Sequence, residues 1–196
     1  MHFFNTHFTA TTKSDVSLKF KFRNIFFTFK IQKIILNFGI KEVDFKNLLP
    51  ALVSLEILSG QKACVTCSKT SNISLKIRNG APVGCKVTLR KLRMVLFLTK
   101  LLLLIFPTIK LFEEGFFLTK NTEQFKSFSF CLEDPLIFSE IEEQYELFKS
   151  LPKLDISIIT NSNSLIELGS LLTSCRFPIK IVCESSSIGR AQFCQS

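Results

Sequence analysis

Lys76 to Arg90, KIRNGAPVGCKVTLR, reads as a cationic turn that runs into a strand. Asn79-Gly80-Ala81-Pro82 carries the turn, and strands flank it at Ser71 to Ile77 and Val83 to Arg90. Gly80 and Gly84 read as backbone hinges of an extended loop. No Gly-Lys-Ser/Thr follows them, and the next residues form a strand and not a helix N-terminus, which excludes a nucleotide-binding phosphate loop. With Lys76, Arg78 and Lys86 around it, the loop is an exposed cationic finger suited to a nucleic-acid backbone.

Working outward, Lys30 to Phe38 predicts a central strand closed by Gly39, and Lys62 to Cys67 predicts another. Between them, Val43 to Leu58 reads as a helix stopped by Gly60, with Pro50 as an alternative starting point. Lys91 to Phe106 reads as a buried helix ended by Pro107. Thr99, Lys100 and Pro107 hold its apolar run well short of the ~20 residues of a membrane span, so no membrane insertion is expected. Further on, Phe128 to Cys131 and Leu154 to Thr160 read as strands, with helical stretches at Glu140 to Phe148 and Ser164 to Thr173. Strands and helices mix without strict βαβ alternation. The expected class is therefore α+β, a largely antiparallel sheet with helices packed on one face and an extended loop. Residues 1–180 form a single domain in this reading. Residues 181–196 lose apolar periodicity, gain serine and read as a disordered tail whose string SSIGRAQFCQ resembles a translated transfer RNA gene.

The 196 residues carry a net charge of +9, unevenly spread. Residues 1–110 hold 18 Lys/Arg against 4 Asp/Glu, whereas residues 111–196 hold 7 against 12. No acidic residue occurs between Glu56 and Glu113, a stretch that includes Lys62, Lys69, Lys76, Arg78, Lys86, Arg90, Lys91 and Arg93. An ordinary solvated surface mixes both signs, because unrelieved like charge destabilises the compact state. The acid-free stretch therefore predicts a phosphate-binding surface. Asn37, Gln61 and Thr88 add polar groups that read RNA shape and ribose hydroxyls.

Catalytic groups are scarce. The two histidines, His2 and His7, sit in a start expected to be mobile, so a Ser-His-Asp or Cys-His arrangement would have to be built from disordered residues. Cys64 and Cys67 have a metal-like spacing but no second pair follows at ribbon distance, so neither a metal nor a cofactor is expected. The seven cysteines, including Cys183 and Cys194, read as reduced, small core residues. The N-terminal residues fit either an organelle presequence or a first helix of the fold. The 22 phenylalanines, with abundant Ile, Lys, Asn and Ser, match the codon usage of an AT-rich organelle genome.

Three segments together, Ile35-Leu36-Asn37-Phe38-Gly39, Ser59-Gly60-Gln61-Lys62 and Lys76 to Arg90, closely resemble the signature segments of the bacterial-type large-subunit ribosomal protein 5 family. Phe138 to Ile141, Leu154 to Ile158 and Arg176-Phe177-Pro178 resemble its C-terminal half, so the likeness spans roughly residues 10–180. The resemblance implies a non-enzymatic, 5S ribosomal RNA-binding protein of the central protuberance. Its partners would be 5S rRNA, large-subunit rRNA, the peptidyl-site transfer RNA and neighbouring central-protuberance proteins. It implies 5S contacts at Asn37, Gln61, Lys62, Lys69, Thr88 and Arg90, and contacts to the transfer RNA elbow at Lys76, Arg78, Asn79, Gly80, Pro82 and Gly84. Ala63 stands where the family has proline and Leu75 where it has an aromatic residue. Thr119 to Leu132 lacks the Gly- and Arg-rich loop of bacterial members, which removes that route to the large rRNA. This erosion points to an organelle-encoded protein of the mitochondrial ribosome in the matrix, with a plastid or bacterial ribosome as the alternative.

Overall fold

A computed structural model describes residues 2–20, 29–40, 45–109, 116–118 and 126–181. The chain divides into two compact units. One comprises residues 33–97 and 129–158, and the other residues 1–32, 98–128 and 159–196.

The first unit is built on the sheet. Its strands are β1 (Ile31–Gly39), β2 (Cys64–Cys67), β3 (Pro82–Leu89), β5 (Ser127–Leu132) and β6 (Leu154–Thr160), in the order β2-β3-β1-β6-β5. β1 is thus the middle strand, as its apolar run predicts. It pairs antiparallel with β3 from Ile34↔Leu89 to Gly39↔Gly84, and β3 pairs antiparallel with β2 from Cys64↔Lys86 to Cys67↔Pro82. Side chains alternate between the two faces of a strand. Ile34, Leu36 and Phe38 therefore share a face with Leu89, Val87 and Cys85 across the ladder, and all six are buried. Leu154, Ile156 and Ile158 continue the buried pattern on β6.

Helix α2 (Phe45–Ser59) lies against β3 and buries Leu48, Ala51, Leu55 and Leu58, a stripe at helical spacing. Contrary to the alternative start at Pro50, α2 begins at Phe45 and runs through the proline. Near a helix N-terminus that proline removes one backbone bond, to the Lys46 carbonyl, and the apolar stripe offsets the loss. Gly60 ends α2 in the left-handed conformation (φ 63°), its N–H donating to the Glu56 carbonyl at 2.8 Å. Two short helices, α4 (Ser139–Glu142) and α5 (Tyr145–Phe148), also touch α2 and bury Ile141 and Phe148. Phe97 stacks on Phe138 with ring centroids 6.2 Å apart.

Helix α3 (Lys91–Lys100) is shorter than the expected Lys91 to Phe106. The chain widens into a π-helical turn at Leu101–Ile105 and ends in a 3-10 turn, Phe106–Thr108. Pro107 has no N–H to close an α-turn, and the Phe106 N–H instead reaches the Leu101 carbonyl. Leu103 and Leu104 consequently face solvent, so the segment is not buried throughout.

The second unit holds α1 (His2–Lys19) against α6 (Leu165–Ser174), and a parallel strand pair, β4 (Phe116–Leu118) with β7 (Ile179–Ile181). Both histidines thus belong to a helix. Phe177 packs edge-on to Phe106 and Phe128, at 5.3 and 6.4 Å between centroids. Residues 182–196, where a tail is expected, lie outside the described residues.

Two further expectations need correction. No strand forms at Ser71 to Ile77, where one isolated bridge joins Asn72 to Ile77. The Asn72 side chain accepts from the Ser74 N–H and hydroxyl, and local side-chain bonds of this kind compete with a ladder. Of the cysteines, Cys85 and Cys175 are core residues, but Cys64, Cys67 and Cys131 are exposed. Cys131 alternates with the buried Phe130 and Leu132, Cys64 pairs with the exposed Lys86 on edge strand β2, and Cys67 sits at a register shift, differences that apolar context alone does not separate.

Candidate nucleic-acid interface

The face of the sheet opposite the core is polar. Register places Cys64, Lys86 and Asn37 side by side across β2, β3 and β1, with Thr88 beside Ile35 and Gly84 between Thr66 and Gly39. Asp155 and Ser157 of β6, with Ser129 and Cys131 of β5, extend this face, and the Ser129 hydroxyl donates to Ser157 at 2.9 Å. Directly opposed side chains stand ~5 Å apart, so the row is continuous, and an open hollow of about 560 Å³ lined by Asn37, Ser129, Cys131, Asp155 and Ser157 lies on it.

Gly84 lets the three strands close up. A Cβ there would lie 2.3 Å from the Phe38 carbonyl oxygen and 3.2 Å from Thr66 Oγ1. Its role is close approach inside β3 and not the hinge that the sequence suggests; Gly80, at φ 82°, does act as a turn residue.

From the β2 and β3 ends a loop projects, stitched by its own backbone. Ser68 N–H donates to Ala81 O at 2.9 Å and Gly80 N–H to Ser68 O at 3.0 Å, while Asn72 and Ile77 exchange both bonds at 2.8 and 3.0 Å. Lys69, Lys76, Arg78, Asn79 and Gly80 are all exposed on it, and Pro82 is half-buried at its base. Lys76 adopts a left-handed backbone (φ 54°), as does Lys91 (φ 51°) at the start of α3. For a side chain with a Cβ that conformation is costly and recurs at functional surfaces.

Beside β3 a second feature forms around the α2 terminus. Ser59 Oγ accepts from the Gln61 N–H at 3.3 Å, and the Glu56 carboxylate accepts from the Ala63 N–H at 3.1 Å. Gln61 Nε2 donates to the Thr88 carbonyl at 2.8 Å, and Arg93 Nη1 donates to Gln61 Oε1 at 2.9 Å. Lys62 and Arg90 are exposed, while Asn37 and Thr88 are half-buried on the open face. Among the described residues, Lys62, Lys69, Lys76, Arg78, Lys86, Arg90 and Lys91 have no carboxylate partner. Arg93 belongs to the acid-free cationic stretch but not to the residues singled out individually as RNA contacts; its signal is a third cation within four residues of Arg90.

Among the described residues no group of three His, Cys, Asp or Glu could hold a metal, and no helix is long and apolar enough to cross a membrane. The described residues thus bring together a polar sheet face and an exposed cationic loop.

The family model for the C-terminus of large-subunit ribosomal protein 5 matches residues 82–179, from the first residue of β3 into β7, and identifies the class as ribosomal protein. Large ribosomal subunit protein uL5m of Reclinomonas americana is 37% identical over 175 residues, 88% of this chain and 95% of its own. Large ribosomal subunit protein uL5 of Wigglesworthia glossinidia brevipalpis is 38% identical over 164 residues, covering 83% of this chain and 90% of its own. The uL5c protein of Oedogonium cardiacum is 37% identical over 164 residues, 83% of this chain and 89% of its own. The chain belongs to the uL5 family of large-subunit ribosomal proteins.

Proposed function

We propose that the protein is a structural, non-enzymatic constituent of the large ribosomal subunit that holds 5S rRNA against its open sheet face. Asn37 and Thr88 lie on that face, and Lys62, Lys69 and Arg90 supply phosphate contacts at its margin. Large-subunit rRNA and neighbouring central-protuberance proteins complete its surroundings. The loop from Lys76 to Gly84 reaches the elbow of the peptidyl-site transfer RNA through Lys76, Arg78, Asn79, Gly80 and Pro82. The ribosome is mitochondrial in this reading, with a plastid or bacterial one as the alternative, since relatives carry all three kinds of name.

One observation carries the reading: Lys62, Lys69, Lys76, Arg78, Lys86, Arg90 and Lys91, on β3 or in the segments flanking β2 and β3, have no carboxylate partner among the described residues. Neutralising phosphates releases counterions, so affinity for a 5S transcript should fall linearly on a log–log plot against salt, with a slope of about −0.9 per phosphate contact. Binding indifferent to salt would overturn the assignment. For the loop, Arg78→Ala should leave the melting temperature unchanged and weaken retention of transfer RNA by purified ribosomes, because it removes an exposed charge and no core volume.

A further inference from the structure

Gln61 carries the suggestion of an RNA contact by its place in the sequence, yet its amide is engaged inside the protein. β2 begins at Cys64, opposite Lys86, and so leaves the Thr88 carbonyl beyond its reach. Gln61 Nε2 takes that carbonyl at 2.8 Å. The other end of the amide, Oε1, receives Arg93 Nη1 at 2.9 Å. The backbone that presents Gln61 is itself fixed by Ser59 Oγ, by the left-handed Gly60 and by the Glu56 carboxylate on Ala63 N–H.

A guanidinium has five N–H donors in a rigid fork, and one bond leaves the fork aligned and largely free. Arg93 is exposed, and no carboxylate among the described residues neutralises it. An arginine on a helix surface normally samples many rotamers, and contact with a phosphate then costs that freedom. Here a bond to Gln61 already restricts that freedom, and Gln61 in turn holds the Thr88 carbonyl of β3. A side chain held in advance binds more tightly than the same side chain left mobile.

We infer that Gln61 is a positioning residue: it fixes the Arg93 guanidinium at the edge of the open face, and Arg93 makes the contact to an RNA phosphate. The inference rests on the RNA-binding reading above and reassigns one residue within it.

A double-mutant cycle on the full chain, read as 5S transcript affinity across a potassium chloride series, tests it. Arg93→Ala should weaken binding about tenfold and reduce the magnitude of the salt slope by about one. Arg93→Lys should keep the slope. Gln61→Ala should weaken binding severalfold alone, and should add nothing in the Arg93→Ala background. Gln61→Met, which keeps side-chain length without either polar atom, replaces Gln61→Ala should that variant melt below the assay temperature. Additive losses would overturn the inference, because they mean that the amide touches RNA itself. An Arg93→Ala variant with the wild-type slope would overturn it too. A wild-type chain that fails to bind the transcript at any salt sinks the RNA reading as a whole, which is a different result from additivity.

Discussion

At the scale of single residues, Gly84 leaves no room for a side chain. Its missing side chain is what lets β3 lie against the Phe38 carbonyl, and a methyl group has nowhere to move because the obstacle is backbone. Gly84→Ala should cost about 1–3 kcal/mol, seen as a lower urea midpoint at unchanged slope. The thiols separate equally clearly. Burial pushes the Cys85 thiol up to about 11 and the Cys175 thiol up to about 12, against an ordinary 9.0. The folded state therefore holds these protons to higher pH than the unfolded chain does. The stabilisation is fully present below about pH 9 and is lost as pH rises toward the folded values. Melting temperature should decline across that alkaline window, and less so in Cys175→Ala. A flat profile would show that the unfolded thiols are shifted to the same degree.

At the scale of elements, α6 illustrates a helix written almost wholly in local code. Ser164 caps it: its Oγ accepts the Glu167 N–H at 3.3 Å while Glu167 Oε2 accepts the Ser164 N–H at 3.2 Å. Ser164→Ala should cost about 1 kcal/mol in chemical denaturation, and an unchanged midpoint would mean that packing of Leu168, Leu171 and Leu172 carries the helix alone. The same reasoning explains where local reading failed. The π-helical turn at Leu101–Ile105 answers to Pro107 and to the burial of Leu101 and Ile105, and no pattern of apolar residues distinguishes it from an α-helix. Ser71 to Ile77 has the composition of a strand but meets no partner strand, so its backbone bonds close on themselves through Asn72.

At the scale of the whole molecule, charge is the organising quantity. A net charge of +9 means that the free protein repels itself. Raising potassium chloride from about 50 to about 500 mM should raise its melting temperature by a few degrees while weakening its hold on RNA. A melting temperature that falls instead would show that exposed ion pairs such as Lys153–Glu133, 2.6 Å apart, stabilise more than the basic surface destabilises.

The α+β class, the central place of β1, the cationic loop and the likeness to the uL5 family were legible in the sequence, whereas β4, β7 and the lack of a strand at Ser71 to Ile77 were not. Periodicity, turn residues and charge are properties of the local chain, and they survive without knowledge of any neighbour. What only the tertiary structure decided was pairing. Register set Cys64, Lys86 and Asn37 in one row, put Cys85 inside and Cys64 outside, and turned Gly84 from a hinge into a close-approach point. It also brought Gln61 to Arg93, 32 residues away, and no local pattern encodes such a contact, because it depends on which strand edge β2 leaves open.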